Sequence, residues 1–373
     1  MTQKLSPAEQ LLFDGKRVLV KTMERAARAD AGVIIDYLRF TVKREALQRI
    51  DEAYLPDDDN STTNDAAFTR LLAQRLAQLT GFTFGEVRQK GRDYYDHTCT
   101  IWNANGVEVG SVSGGGEHQR STFCFTLKGE ACTHATVGWE RAVYDFAQVL
   151  DAKITRIDLC RDYFQGEKGG VEAVRAAYLN GQFDYRNRRP SQENAGCWDN
   201  GHSRTYYVGK RESGKMFRAY EKGHQFGDMD SKWWRAEVEL RSHQRIIPLE
   251  AVIRPASYFA GAYDYTHELL QDVQPVSIKT AHAVAEACAE RAVRWLERTV
   301  APAIVHLSLN SGFDWITRLA IEHAHRPMPK ALRGLSTTSI KHGLNQALKK
   351  FTSSAEEPAL CAPFIQPGLE TAS

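Results

Sequence analysis

Between residues 154 and 241, four separate segments alternate apolar and polar side chains, and a two-residue period fits a β-strand with one buried and one polar face. Ile157, Leu159 and Tyr163 alternate with Arg156, Asp158 and Asp162. Val208 alternates with Thr205, Tyr207 and, past Gly209, Arg211. Phe217 begins a row opposite Arg218, Tyr220, Lys222 and His224, and Trp234, Val238 and Leu240 oppose Arg235, Glu237, Glu239 and Arg241. The apolar sets mark the core side. Any one polar row reads as the solvated face of a half-exposed antiparallel sheet, with cross-strand ion pairs worth ~0.2–1 kcal/mol each. Four such rows together fit that reading less well, because an idle surface has no need of arginine over lysine or of tyrosines among carboxylates.

The rest of the chain repeats this pattern. IIDYLRFTV from Ile34 reads as a strand, Ala66 to Leu79 as an amphipathic helix ended by Gly81, and Phe82 to Leu127 as strands with turns at Asn103–Gly106 and Gly114–Gly116. Trp139 to Leu150 is helical. Ile154 to Phe164 is again a strand, GVEAVRAAYLNG a helix capped by Gly181, and Ser203 to Arg241 a run of strands. The predicted order is β-α-βββ-α, twice. Ile35-Asp36-Tyr37-Leu38-Arg39 and Ile157-Asp158-Leu159-Cys160-Arg161 are identical at three of five positions, at the same point of each repeat.

The fold class expected is therefore α+β: two related halves of antiparallel sheet with helices on one face, then a helical C-terminal region. The expected boundaries are 1–30 for an N-terminal extension, 31–150 and 151–274 for the two halves, 275–351 for the helical region and 352–373 for a disordered tail. Within the helical region the pattern predicts helices over 277–300, 313–324 and 339–351.

At 373 residues, 42% hydrophobic and 25% charged, the composition is that of an ordinary globular protein with material for two or three cores. Uncharged apolar runs fall far short of the ~20 residues of a membrane span, and the first residues lack a secretory pattern, so a cytoplasmic location and no membrane partner are expected. Seven scattered cysteines without a CxxC pair read as reduced thiols rather than disulfides or a zinc site. The net charge is only +2, yet residues 186–222 hold nine Lys/Arg against four acids, and residues 318–350 hold seven against one. Local basic surface of this kind suits a phosphate backbone.

The residue types on the polar rows have a joint chemical meaning. Guanidinium forks match phosphate oxygens. Carboxylates among them suit a hard divalent cation, Mg²⁺ or Mn²⁺, which prefers oxygen ligands. A phenol titrates near ~10, so a tyrosine nucleophile needs neighbouring cations or a metal. Tyr220, between Arg218 and Lys222, meets that need best, with Tyr207 as competitor.

At these residues the chain resembles the replication initiation factor (Rep-trans type) family of rolling-circle plasmids, filamentous phages and integrative elements. The stretches that carry the resemblance are RIDLCRDYF, TYYVGKRESG followed by MFRAYEKG, and WRAEVELR, with IIDYLRFTV and FTLKGEAC resembling earlier strands of the family; the resemblance covers roughly residues 32–265. Lys210 departs from the family pattern, which often has serine there. The resemblance implies a site-specific DNA nickase-ligase whose tyrosine keeps the 5′-phosphate and frees a 3′-OH. It implies Tyr220 as nucleophile, with Lys222 and Tyr207 beside it. Metal ligation would fall to Asp158, Glu237 and Glu239, and DNA contact to Arg211, Arg218, Arg235, Lys210 and Arg156. Partners would be origin DNA, single-stranded or supercoiled, a second copy in a homodimer, and a host helicase and polymerase. Alternatives are a non-catalytic sequence-specific DNA-binding protein and a conjugative relaxase with the same chemistry. The C-terminal helices are expected to recognise the origin or to dimerise.

Three other signals point away from chemistry. His323-Ala324-His325 ends a helical stretch before Arg326-Pro327 and is not expected to bind metal. Gly114–Gly116 lacks a following Lys-Ser/Thr and reads as a bend. Cys132 and His134 form a lone pair, read as a core cysteine and a satisfied histidine.

Overall fold

A computed structural model describes residues 7–49, 61–116, 119, 121–185, 187–243, 245–312, 314–322 and 337–354. Residues 1–278 form one compact unit and 279–373 a second. The first unit is built on a ten-stranded antiparallel sheet.

The first repeat runs β1 (Val33–Lys43), α2 (Ser61–Thr80), β2 (Thr83–Arg88), β3 (His97–Trp102), β4 (Glu108–Gly114), β5 (Thr122–Leu127), α3 (Gly129–His134) and α4 (Trp139–Val149), preceded by α1 (Pro7–Arg28). The second runs β6 (Lys153–Tyr163), α5 (Gly170–Leu179), β7 (Gln192–Cys197), β8 (His202–Lys210), β9 (Lys215–Glu221) and β10 (Trp234–Arg241), followed by α6 (Pro255–Ala260) and α7 (Asp264–Leu269). Each repeat thus holds four strands after its first helix, one more than the sequence pattern predicts. The additional strand β7, Gln192–Cys197, is an exposed edge strand without apolar alternation, so it carries no period to read.

The strand order is β2-β3-β4-β5-β1-β6-β10-β9-β8-β7. The two opening strands pair with each other at the centre, antiparallel, and each four-strand meander fans outward. Their similar pentapeptides face one another head to tail, with Ile35 opposite Leu159 and Arg39 opposite Arg156. The register shifts between Ile35 and Tyr37, so Asp36 is an extra residue in β1, a bulge that re-aims its side chain.

The apolar rows lie where expected. Ile157, Leu159, Tyr163, Val208, Phe217, Trp234, Val238 and Leu240 are all buried in one continuous core. On that face α2 packs against β2 to β4, α5 against β8 and β9, and α6 against β1 and β6. Ring stacking ties neighbouring strands together, Phe40 on Phe125 at 4.6 Å and Tyr163 on Trp234 at 4.4 Å. Helix α1, the N-terminal extension, packs against α3 and against the turn Gly223–Phe226. A Cβ at Gly15 would lie 2.4 Å from the Phe226 Cβ, so glycine in mid-helix, costing ~1 kcal/mol against alanine, allows the helix to seat.

The second unit contains α8 (Ala281–Trp295), α9 (Ala301–Ser311), α10 (Asp314–Glu322) and α11 (Thr337–Ser354), with a wider π turn at Leu296–Val300. Helix α9 falls in a stretch where the sequence pattern predicts none. His323 and His325 lie outside the described residues, as does the tail from 355 on. The described cysteines are all free thiols. Cys132 is buried in α3, whereas His134 is exposed rather than enclosed. Among the described residues no helix is long and apolar enough to cross a membrane.

Candidate functional site

Strand pairing brings the polar rows onto one face. In β10, Arg235 lies between Asp162 and Tyr220, Glu237 between Cys160 and Arg218, and Glu239 between Asp158 and Met216. In β8, Thr205 lies opposite Tyr220 and Tyr207 opposite Arg218. This face is not the solvated surface that a single row suggests: Glu237 is 0%, Asp158 1% and Tyr220 6% exposed. Carboxylates buried so deeply persist only when paired and hydrogen-bonded, and each is.

Arg156 grips Asp158 through two bonds, Nε to Oδ1 at 2.9 Å and Nη2 to Oδ2 at 2.5 Å. Glu239 accepts from Arg241 Nε at 2.5 Å and from Arg211 Nε at 3.2 Å, with Arg156 Nη2 at 3.3 Å. Glu237 accepts from Arg218 Nη2 on one oxygen and from the Tyr220 hydroxyl on the other, the latter at 3.1 Å. Arg218 Nη2 also lies 3.9 Å from Asp158 Oδ2, and its Nε is buried without a partner.

These contacts set the protonation of the site. Burial, reinforced by Glu237 and Glu239 against the pull of Arg156, pushes the Asp158 carboxyl up to about 7. Burial also raises Glu239, but Arg241, Arg156 and Arg211 overcome it and hold that carboxyl below the usual range. Burial, then the Glu237 carboxylate, drives the Tyr220 phenol well above its ordinary value. The two cations beside Tyr220, Arg218 Cζ at 5.6 Å and Lys222 Nζ at 5.5 Å from its ring centre, do not offset this. The expectation that they lower its pKa therefore fails in the free protein. Glu237 provides another route to a phenolate, as an acceptor for the proton.

Other site residues divide by position. Tyr207 is half-buried on the same face, more accessible than Tyr220. Arg156 and Arg218 lie within the carboxylate cluster, and Arg211 reaches its rim from the turn after β8. Lys210 is exposed at the end of β8. Lys222 leaves the row, because β9 ends at Glu221 and the chain turns; its Nζ donates to Gln225 Oε1 at 3.1 Å. His224 departs further and accepts the Ser203 backbone N–H.

Arg235, expected to contact DNA, is corrected by the structure: it is 2% exposed and wholly engaged by protein. It binds Asp162 through Nε at 2.8 Å and Nη2 at 2.9 Å, and Asp36 through Nη1 at 2.7 Å. Trp233 Nε1 adds a bond to Asp162 at 2.7 Å. A guanidinium so enclosed is a clamp between the two halves of the sheet. Asp36 and Asp162, whose roles the sequence leaves open, are its two jaws. The signal for this lay in the bulge, which no sequence spacing marks. Beside the clamp a cleft of about 880 Å³ is lined by Asp14 and Arg17 of α1, Asp36, Lys222, Phe226 and Arg235. Helix α1, whose role is unreadable in the sequence, forms one wall of it.

Three carboxylates with no sulfur or imidazole form a donor set suited to Mg²⁺ or Mn²⁺. A carboxyl pushed up to about 7 by burial, and further by its acidic neighbours, is one that a dication would relieve. In the arrangement observed each is turned onto a guanidinium, and among the described residues no three ligating groups converge.

A phenol on a carboxylate, with arginines that hold charge in a dry patch of sheet, has the parts needed for phosphoryl transfer. The family model for the replication initiation factor matches residues 152–312, which takes in the second half of the sheet and runs on into the helical unit. RIDLCRDYF, TYYVGKRESG, MFRAYEKG and WRAEVELR all fall inside the match, and the two earlier strands fall outside it. The rolling circle replication initiator protein from Geobacillus stearothermophilus is 17% identical, with 65% of this chain and 84% of that chain covered and a TM-score of 0.43. No curated protein matches.

Proposed function

We propose that the protein is a site-specific DNA nickase-ligase that initiates rolling-circle replication, with Tyr220 as nucleophile. The observation that carries this reading is the Tyr220 hydroxyl donating to Glu237 at 3.1 Å, on the face that also holds Asp158, Glu239 and Arg218. The family match over the same strands supports it.

In this reading Glu237 takes the phenolic proton as Tyr220 Oη bonds to phosphorus. The P–O3′ bond breaks, the 5′-phosphate stays on the tyrosine, and the freed 3′-oxygen takes a proton from water to become the priming hydroxyl, while the proton on Glu237 passes to solvent. Arg218, whose Nε is unpartnered, and Lys222 neutralise the charge that builds on the phosphate. Rejoining is the same path reversed. Mg²⁺ or Mn²⁺, held by Asp158, Glu237 and Glu239, would supply further polarisation of the scissile phosphate. Arg211, Lys210 and Arg156 track the backbone, and the basic helical unit recognises the origin or pairs with a second copy. Host helicase and polymerase then use the 3′ end.

Supercoiled origin DNA with Mg²⁺ or Mn²⁺ should become open circle, with protein on the 5′ end. Tyr220→Phe should abolish this. Should Tyr220→Phe and Tyr207→Phe each nick as well as wild type, the reading fails. The guanidinium on every carboxylate favours one second reading, a sequence-specific DNA binder without chemistry. It predicts binding indifferent to EDTA and no strand scission.

A further inference from the structure

A second cavity of the sheet unit, about 480 Å³, includes none of Asp158, Tyr220, Glu237 or Glu239 in its lining. It lies where the end of α1 meets the start of β1 and the first turn of α4. Arg25 enters from α1 and is 7% exposed. Its Nη2 donates to Glu140 Oε1 at 3.1 Å, while Nε and Nη1 are buried with no partner. A buried guanidinium N–H left unpaired bears its full desolvation penalty, so a native fold keeps such groups for a reason. The indole Nε1 of Trp139, the first residue of α4, is also buried and unpaired, and the Arg25 guanidinium lies 5.7 Å from that ring centre.

The eleven-residue helix α4 follows here on its N-cap residue Gly138, which has φ 87 and supplies no side-chain cap to the N-terminus. The N–H groups of Trp139 and Arg141 are engaged by the carbonyls of Thr136 and Gly138, both at 3.1 Å, but the helix end keeps its partial positive charge, and next to an arginine fork that charge suits phosphate. Arg28 and Arg141 line the same cavity, against the acids Asp30 and Glu140. The lining thus carries one more cation than acid, before the helix dipole is added.

We propose that this cavity binds a phosphate group, held by Arg25, Arg28 and the first turn of α4. The phosphate comes either from a DNA backbone passing over α1 or from the terminal phosphate of a free nucleotide. The proposal stands on this cavity alone and survives if the nickase reading fails.

Isothermal titration of the full chain with inorganic phosphate tests it. Saturable binding is expected, weakened at least tenfold in Arg25→Gln and in Arg28→Ala and unchanged in Thr100→Val. Arg28 is exposed, so its alanine variant keeps the fold even where the buried Arg25 variant does not. Competition by an oligonucleotide without terminal phosphates identifies the backbone as the source, and competition by a mononucleotide alone identifies the free phosphate. No saturable phosphate binding, equal affinity in wild type and Arg28→Ala, or acetate binding as tightly as phosphate would each overturn the assignment.

Discussion

The two halves of the sheet share one topology and differ in what they lay on the polar face. In the first half that face carries Thr98 and Thr100 of β3, Ser111 and Ser113 of β4, and Cys124 and Thr126 of β5, in continuous register. In the second half the matching face carries Asp158, Glu237, Glu239, Arg218 and Tyr220. The hydroxyl face closes on itself: Thr98 and Ser113 share a hydrogen bond at 2.7 Å, and the Arg92 N–H caps Thr98 at 2.9 Å. Tyr95 bonds Thr122, and Arg39 draws in Asp93 at 2.8 Å. Nothing charged is buried in that set of hydroxyls. The charged face instead keeps one carboxyl near neutrality and one arginine nitrogen unpaired, a cost that proteins accept where groups must act. One duplicated scaffold thus carries a hydroxyl-rich polar face in one half and a charged one in the other. The lesson is that fold alone carries no chemistry. The family match begins at residue 152, where the charged copy begins.

The contrast can be broken most sharply at the proposed nucleophile. Tyr220→Phe should lower nicking by about 10³-fold or more, while Thr100→Val and Ser111→Ala leave it within about twofold. A large loss from either hydroxyl substitution would erase the functional asymmetry between the halves. Glu237→Gln should cost about 10²–10⁴-fold, as expected for loss of a proton acceptor, measured as initial rates on the same supercoiled substrate.

The clamp that joins the halves sets the next largest effect. Arg235→Met leaves Asp162 and Asp36 without their partner, one of them fully enclosed, and should destabilise the sheet unit by about 3–5 kcal/mol in urea unfolding. Ser113→Ala in the first half removes one neutral hydrogen bond and should cost about 1 kcal/mol. Similar losses for the two would show that the charged network adds no cohesion of its own.

Acidity gives a finer comparison. The Asp158 carboxyl in the folded protein sits at about 7, above an ordinary aspartate, so folding favours its protonated form. That contribution is complete below the unfolded value near ~4 and is lost as pH rises through about 7. Wild type should therefore lose stability relative to Asp158→Asn between pH 4 and pH 8, read from urea midpoints at each pH. A flat difference would mean that Arg156 and Arg218 keep Asp158 ionised throughout.

Much of this was readable in the residues and some could not be. Strand alternation located the core side, because a single apolar row such as Ile157, Leu159 and Tyr163 fixes which way a strand faces. It also placed Asp158, Glu237 and Tyr220 on a common face, since adjacent strands in register transmit facing. Burial of that face was not readable, because alternation reports which side is polar and not whether it is dry. The Arg235 to Asp36 contact joins residues 199 positions apart through a bulge, and bulges leave no period in the sequence. Helix α1 seats through Gly15 on Phe226, a contact of complementary shapes that composition does not encode. Lys222 and His224 left the row because β9 stops at Glu221, and strand ends follow tertiary packing more than pattern.

The central claim is that Tyr220 forms the covalent link to DNA. Mass spectrometry of the protein after reaction with a suicide oligonucleotide carrying the nick site tests it directly. The account predicts a nucleotide adduct, through a phosphate, on the peptide containing Tyr220. An adduct on Tyr207, or cleaved DNA with no tyrosine adduct at all, would contradict it.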